Sequence, residues 1–156
     1  MSVKRKGVNC VKSLRTQLKN DLKELFSNDI THPEYQDIIV KDKYEKYPEI
    51  TYPIITIDEL NNENVEQYFN DSGEQVSYLG YQIRIDCEQT EEHTAWENVE
   101  IIGNMIDDYM GGERYYCLRR IGNFPKYPMQ NDDNVIVGYL RYEGNLDINT
   151  NTIYRR

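Results

Sequence analysis

The sharpest pattern in the chain lies between residues 79 and 88, where Leu79, Tyr81, Ile83, Ile85 and Cys87 alternate with Gly80, Gln82, Arg84, Asp86 and Glu88. A period of two puts the apolar side chains on one face and the polar ones on the other, which predicts a half-buried strand. The period then changes. Ala95, Val99, Ile102, Ile106 and Tyr109 recur at steps of 4, 3, 4 and 3. That spacing predicts a helix over 90–110, with Thr90 as its cap and Gly111-Gly112 as its stop. A second helix is predicted over 9–27. There Val11, Leu14, Leu18, Leu22 and Leu25 form one apolar stripe, and Ser27-Asn28-Asp29 ends it.

The remaining strands are shorter. Tyr52-Pro53-Ile54-Ile55-Thr56-Ile57 is a β-branched run that Asp58 and Glu59 should terminate. Pro53 has no N–H to give a ladder, so this strand begins there or lies at an edge. Arg114 to Ile121 reads as a basic strand, and Gly122-Asn123-Phe124-Pro125 as the loop after it. In Asn134 to Glu143, Val135, Val137 and Tyr139 oppose Ile136, Leu140 and Tyr142; Thr152-Ile153-Tyr154 is a last short strand. Two polar stretches, 29–50 and 60–77, read as an irregular connector and as a loop or extended hairpin, and both are expected to be mobile loops or arms. The order of elements predicts one α+β domain over residues 1–156, a mostly antiparallel sheet with two main helices packed on one face.

Charge adds an asymmetry to this layout. The chain of 156 residues has a formal net charge of -9. Residues 1–28 nevertheless hold seven Lys and Arg against two Asp and Glu, a net of +5, so the other 128 residues carry -14. A basic helix with an apolar stripe is expected to dock on acidic surface of its own domain or of a neighbouring copy. The overall acidity argues against a nucleic-acid binder built from residues 4–23 and the Arg-bearing strands. No stretch approaches the roughly 20 apolar residues a bilayer requires, so no membrane is expected. Nor does any apolar segment follow Met1-Ser2-Val3-Lys4-Arg5-Lys6 to make a secretory signal.

Candidate chemistry is sparse. Cys10, Cys87 and Cys117 are widely spaced and odd in number, which fits neither a disulfide framework nor a zinc site. His32 sits in the turn Thr31-His32-Pro33. His93 and Glu97 are four apart and could share a helix face, but two ligands do not make a metal centre. No phosphate-binding glycine loop and no nucleophile elbow is present. Asn131-Asp132-Asp133-Asn134 lacks the spacing of a calcium loop and reads as a hairpin turn. No catalytic residue, metal site or cofactor is expected, and so no enzyme.

The layout as a whole resembles the tail terminator (tail completion, head–tail joining) proteins of long-tailed bacteriophages. The resemblance rests on the N-terminal amphipathic helix, the strand Tyr52-Pro53-Ile54-Ile55-Thr56-Ile57-Asp58 and the polar excursion after it. It continues through strand 78–88, which runs into helix 90–110, to the C-terminal hairpin strands carrying Arg114, Arg119, Arg120 and Arg141. It implies a structural role in the virion's tail or neck, in a protein assembled in the host cytoplasm. Such proteins form a hexameric ring that caps the finished tail tube, ends its polymerisation and joins the head connector or stopper protein, with DNA passing through the lumen. Another neck component, a head-completion or stopper protein, is the alternative. Fourteen tyrosines in 156 residues suit contact surfaces, because Tyr offers large area at low rotamer cost. Lys12, Arg15, Lys19, Arg114, Arg119, Arg120 and Arg141 are the expected contacts between subunits or with the tube.

Overall fold

Alternation and helical periodicity translate into two layers. The computed structural model describes residues 14–64, 76–116, 118–147 and 152–154. The elements run α1 (Leu14–Ser27), a 3-10 turn (Pro33–Tyr35), β1 (Ile39–Asp42), β2 (Ile54–Asn64), β3 (Val76–Cys87), α2 (Ala95–Met110), β4 (Arg119–Arg120), β5 (Lys126–Met129), β6 (Asp132–Asp147) and β7 (Thr152–Tyr154). Seven strands make one sheet in the order β1-β2-β3-β6, and β4, β5 and β7 share the outer edge of β6. Among the described residues only the β1–β2 pair is parallel. The fold is α+β, as expected.

Both helices cover the same face. Register places Ile55, Ile57, Tyr81, Ile83, Ile85, Cys87, Ile136, Leu140 and Tyr142 on that face. They form one buried cluster with Leu14, Leu18, Leu22 and Phe26 of α1 and Val99, Ile102, Ile106 and Met110 of α2. Each fully buried aliphatic side chain contributes roughly 1.5–3 kcal/mol, so this layer is the main source of stability. Three buried phenols find partners that spare them an unsatisfied hydroxyl. Tyr35 donates to Asn98 Oδ1 at 2.6 Å, Tyr115 to Asp21 Oδ2 at 2.6 Å and Tyr142 to Asp107 Oδ1 at 2.7 Å. Burial, together with the accepting carboxylate, pushes the Tyr115 and Tyr142 hydroxyls well above the ordinary phenol range.

Several elements differ from the sequence expectation, each for a local reason. Helix α2 starts at Ala95, capped by Thr94 and not by Thr90: Thr94 Oγ1 accepts from Glu97 N–H, and Glu97 Oε1 accepts from Thr94 N–H. This reciprocal box satisfies two otherwise orphaned donors. Thr90 instead closes a turn with His93, and Asn98 Nδ2 donates to Glu88 O. Strand β2 continues past Asp58 and Glu59 to Asn64, because β3 keeps pairing with it through a register shift between Glu59 and Asn61. The rest of the polar excursion, 65–75, lies outside the described residues. The connector 29–50 is not irregular throughout. Tyr35, Ile38 and Val40 are buried in the core, and β1 covers the edge of β2, which makes β2 an interior strand starting just after Pro53.

Among the described residues between Arg114 and Ile121, Arg119 and Arg120 alone are strand, because Tyr115 turns into the core toward α1 and Leu118 N–H bonds back to Tyr115 O. The segment read as a loop, 122–125, is a bulge between two strand pieces. Ile121 N–H donates to Arg141 O and Tyr139 N–H to Pro125 O, so residues 122–124 stand opposite Leu140 alone. Gly122 takes a positive φ of 73°, which a side chain would resist. Phe124 turns inward and packs between Gly103 of α2 and Gly138 of β6. A Cβ at Gly103 would overlap its ring, and one at Gly138 would lie 2.7 Å from Phe124 Cε1.

Candidate binding groove on the open face of the sheet

The face away from the helices carries the other half of each alternation. Register puts Thr56, Gln82, Arg84, Asp86, Val137, Tyr139, Arg141 and Glu143 there. Arg84 and Asp86 form a two-point ion pair, Nε to Oδ1 at 2.8 Å and Nη2 to Oδ2 at 3.1 Å, which satisfies the buried carboxylate. The bulge raises residues 121–123 above the neighbouring strands and so gives this face a wall. Between wall and sheet lies an open groove of about 660 Å³, lined by Gln82, Ile121, Gly122, Asn123, Pro125, Tyr127, Tyr139 and Arg141.

The groove combines three chemistries. Tyr127, 56% exposed, and Tyr139 present two rings 6.5 Å apart at 54°, an aromatic floor and side. Arg141 is exposed and donates to Gln82 Oε1 at 3.1 Å, which orients its guanidinium along the sheet. Asn123 and Gln82 add amide donors and acceptors. Flat aromatic surface beside an oriented guanidinium suits a partner that brings an apolar ring together with carboxylates.

A second feature lies where β3 ends and α2 and β6 begin. Residues 85–98 and 130–137 contain no Lys or Arg, and they hold Glu88, Glu91, Glu92, Glu97, Asp132 and Asp133 besides the paired Asp86. Burial raises the Tyr52 hydroxyl above its ordinary value, and the charges of Asp86, Glu88 and Asp132 add to the rise, so these carboxylates act on one place. Trp96, 47% exposed, stands at this acidic end beside a depression of about 490 Å³ that Glu88, Thr94 and Asp133 also line.

The seven basic residues expected at a contact surface are dispersed. Lys12 lies outside the described residues. Lys19 pairs with Glu45 at 2.8 Å, Arg114 with Asp21 at 3.2 Å and Arg120 with Asp107 at 3.0 Å, all on the helical side. Of the basic residues on the described helix, Lys19 thus pairs with an acid of its own domain and Lys23 donates to Ile38 O. Arg15 is half-buried on α1, with its Nε lacking a hydrogen-bond partner. Only Arg119 and Arg141 belong to the open face, and only Arg141 lines the groove. Sequence reasoning missed Gln82, Asn123, Tyr127 and Tyr139. The polar phase of the 79–88 alternation was the signal for Gln82, whereas nothing local marks the bulge that raises Asn123.

His93 Nδ1 lies 3.7 Å from Glu97 Oε1, but Glu97 is engaged by the Thr94 cap. Among the described residues no group of three or more His, Cys, Asp or Glu could hold a metal ion. Cys87 is buried and its thiol is pushed up by that burial, then by Asp86. Among known proteins, no family model and no curated sequence matches the chain.

Proposed function

We propose that the protein is a structural component of a phage virion, a tail terminator whose copies form a ring. The ring, six copies by resemblance to the family, caps the tail tube, ends its polymerisation and joins the tail to the head connector or stopper protein. One observation carries the reading: a helix-backed sheet whose other face holds an open groove with two tyrosine rings and an exposed Arg141, in a chain whose acidic character, with an exposed Trp96, is concentrated elsewhere. Surfaces that differ in this way suit heterologous contacts, and these close into rings when the rotation permits. The order of helix, hairpin, helix and hairpin strands supports the same reading.

The test belongs in the phage that encodes the chain. Loss of the protein should leave filled heads beside separate tails of irregular or excessive length, seen by electron microscopy. A mutant that still makes joined tails of correct length would defeat the proposal. A ring found elsewhere in the neck would reassign the protein to a head-completion or stopper role.

A further inference from the structure

We infer that the groove on the open face is the seat for the acidic end of a second copy of this chain, so that copies associate head to tail. The inference rests on the ring reading and names the surfaces that would build it. The groove supplies Arg141, hydrogen-bonded to Gln82, together with the Tyr127 and Tyr139 rings, and Arg119 lies on the same face. The acidic end supplies what such a groove recognises, an exposed indole beside Glu88 and Asp133, with no Lys or Arg within residues 85–98.

Seating Trp96 against the Tyr127 and Tyr139 rings removes the exposed half of the indole from water, and brings Glu91 and Glu92 toward the guanidinium. The two surfaces share no residue. A copy that gives its acidic end therefore keeps its own groove available, which is the condition for propagation to a ring. Nucleic acid is the poorer occupant, because the groove lining holds a single cation, Arg141, and phosphate affinity scales with the number of basic contacts.

Two variants separate the halves of the contact. Arg141→Glu with Tyr127→Ala disables the groove, and Glu91→Lys with Glu92→Lys and Trp96→Ala disables the acidic end. All five positions are exposed, so both proteins should melt with the wild type. By sedimentation, each variant alone should self-associate at least ~10-fold more weakly than wild type. Mixed, they should form a complex that stops at two copies, since the pair retains one working groove and one working end.

A variant that assembles alone as the wild type does would overturn the groove assignment while leaving the ring reading intact. Wild-type chains and the mixture both remaining monomeric would overturn it too, as would uptake of a fluorescent oligonucleotide by the groove in their place. A heterodimer in solution, with no ring in the virion, would uphold the contact and defeat the ring.

Discussion

Phe124 shows how much a single side chain organises. Its ring lies between two glycines, one in α2 and one in β6, with Val99 on the same side of the sheet as both. Gly→Ala within a helix ordinarily stabilises by about 1 kcal/mol. At Gly103 the sign should reverse. The added methyl would meet a ring that Gly138 and Val99 prevent from retreating, and overpacking of this kind costs about 1–3 kcal/mol. Gly103→Ala should therefore lower stability in urea unfolding, and Phe124→Ala in the same chain should recover most of that loss, because the clash is gone. Additive losses in the double variant would show that the ring does not fill this space. None of this was legible beforehand. Gly122-Asn123-Phe124-Pro125 carries ordinary turn chemistry, and the partner glycines are separated from Phe124 by 21 and 14 positions.

Among the elements, those with a long regular period were readable and those defined by their partners were not. The alternation over 79–88 and the two apolar stripes each repeat often enough to stand without context, and α1, β3 and α2 follow. β1 has four residues and pairs with β2 in parallel, a contact that no local signal announces. Its junction with α1 is electrostatic as well as apolar. The Lys19 ammonium donates to Glu45, and this bond, with the N–H of Asp42, holds the Glu45 carboxyl below its ordinary 4.5. At Asp42 burial opposes ionisation, but the N–H groups of Tyr44 and Glu45 and the nearby Arg15 and Lys19 outweigh it.

A carboxyl whose pKa is lower in the folded chain stabilises above its unfolded value and loses that contribution as pH falls through the folded one. Glu45→Gln should thus be less stable than wild type above pH 4.5, by at most about 1 kcal/mol because the pair is partly exposed, and the two should converge in more acidic solution. Urea titrations across pH 2.5–7, about the range in which carboxylates titrate, would measure this. A constant gap would mean that the Lys19–Glu45 pair is not the origin of the difference.

At the scale of the molecule, charge is sorted in a way that the sequence half conceals. The split between residues 1–28 and the rest is visible by counting, but on the described helix Lys19 is spent on Glu45 and Lys23 on the Ile38 carbonyl. The asymmetry that remains is between the open sheet face and the acidic end, and the acidic end is assembled from two segments that meet only when β6 lies beside β3. That makes β6 the spine of the fold: one edge takes all of β3, and the other takes β4, β5 and β7 in series.

The spine follows β1, β2, β3, β4, β5 and both helices in the chain, and this governs when they can fold. With residues 132–147 still to be synthesised, β3 has one of its two neighbours, α2 lacks part of its floor, and β4 and β5 have nothing to pair with. The elements before β6 therefore cannot complete the fold by themselves during synthesis, and a nascent chain leaves β3 without its second neighbour until residues 132–147 have been made. A version ending at Gln130 should show no cooperative thermal transition by circular dichroism. In the whole chain, the amides of β6 should exchange with solvent among the slowest. A folded, cooperative 1–130 fragment would contradict this order of events.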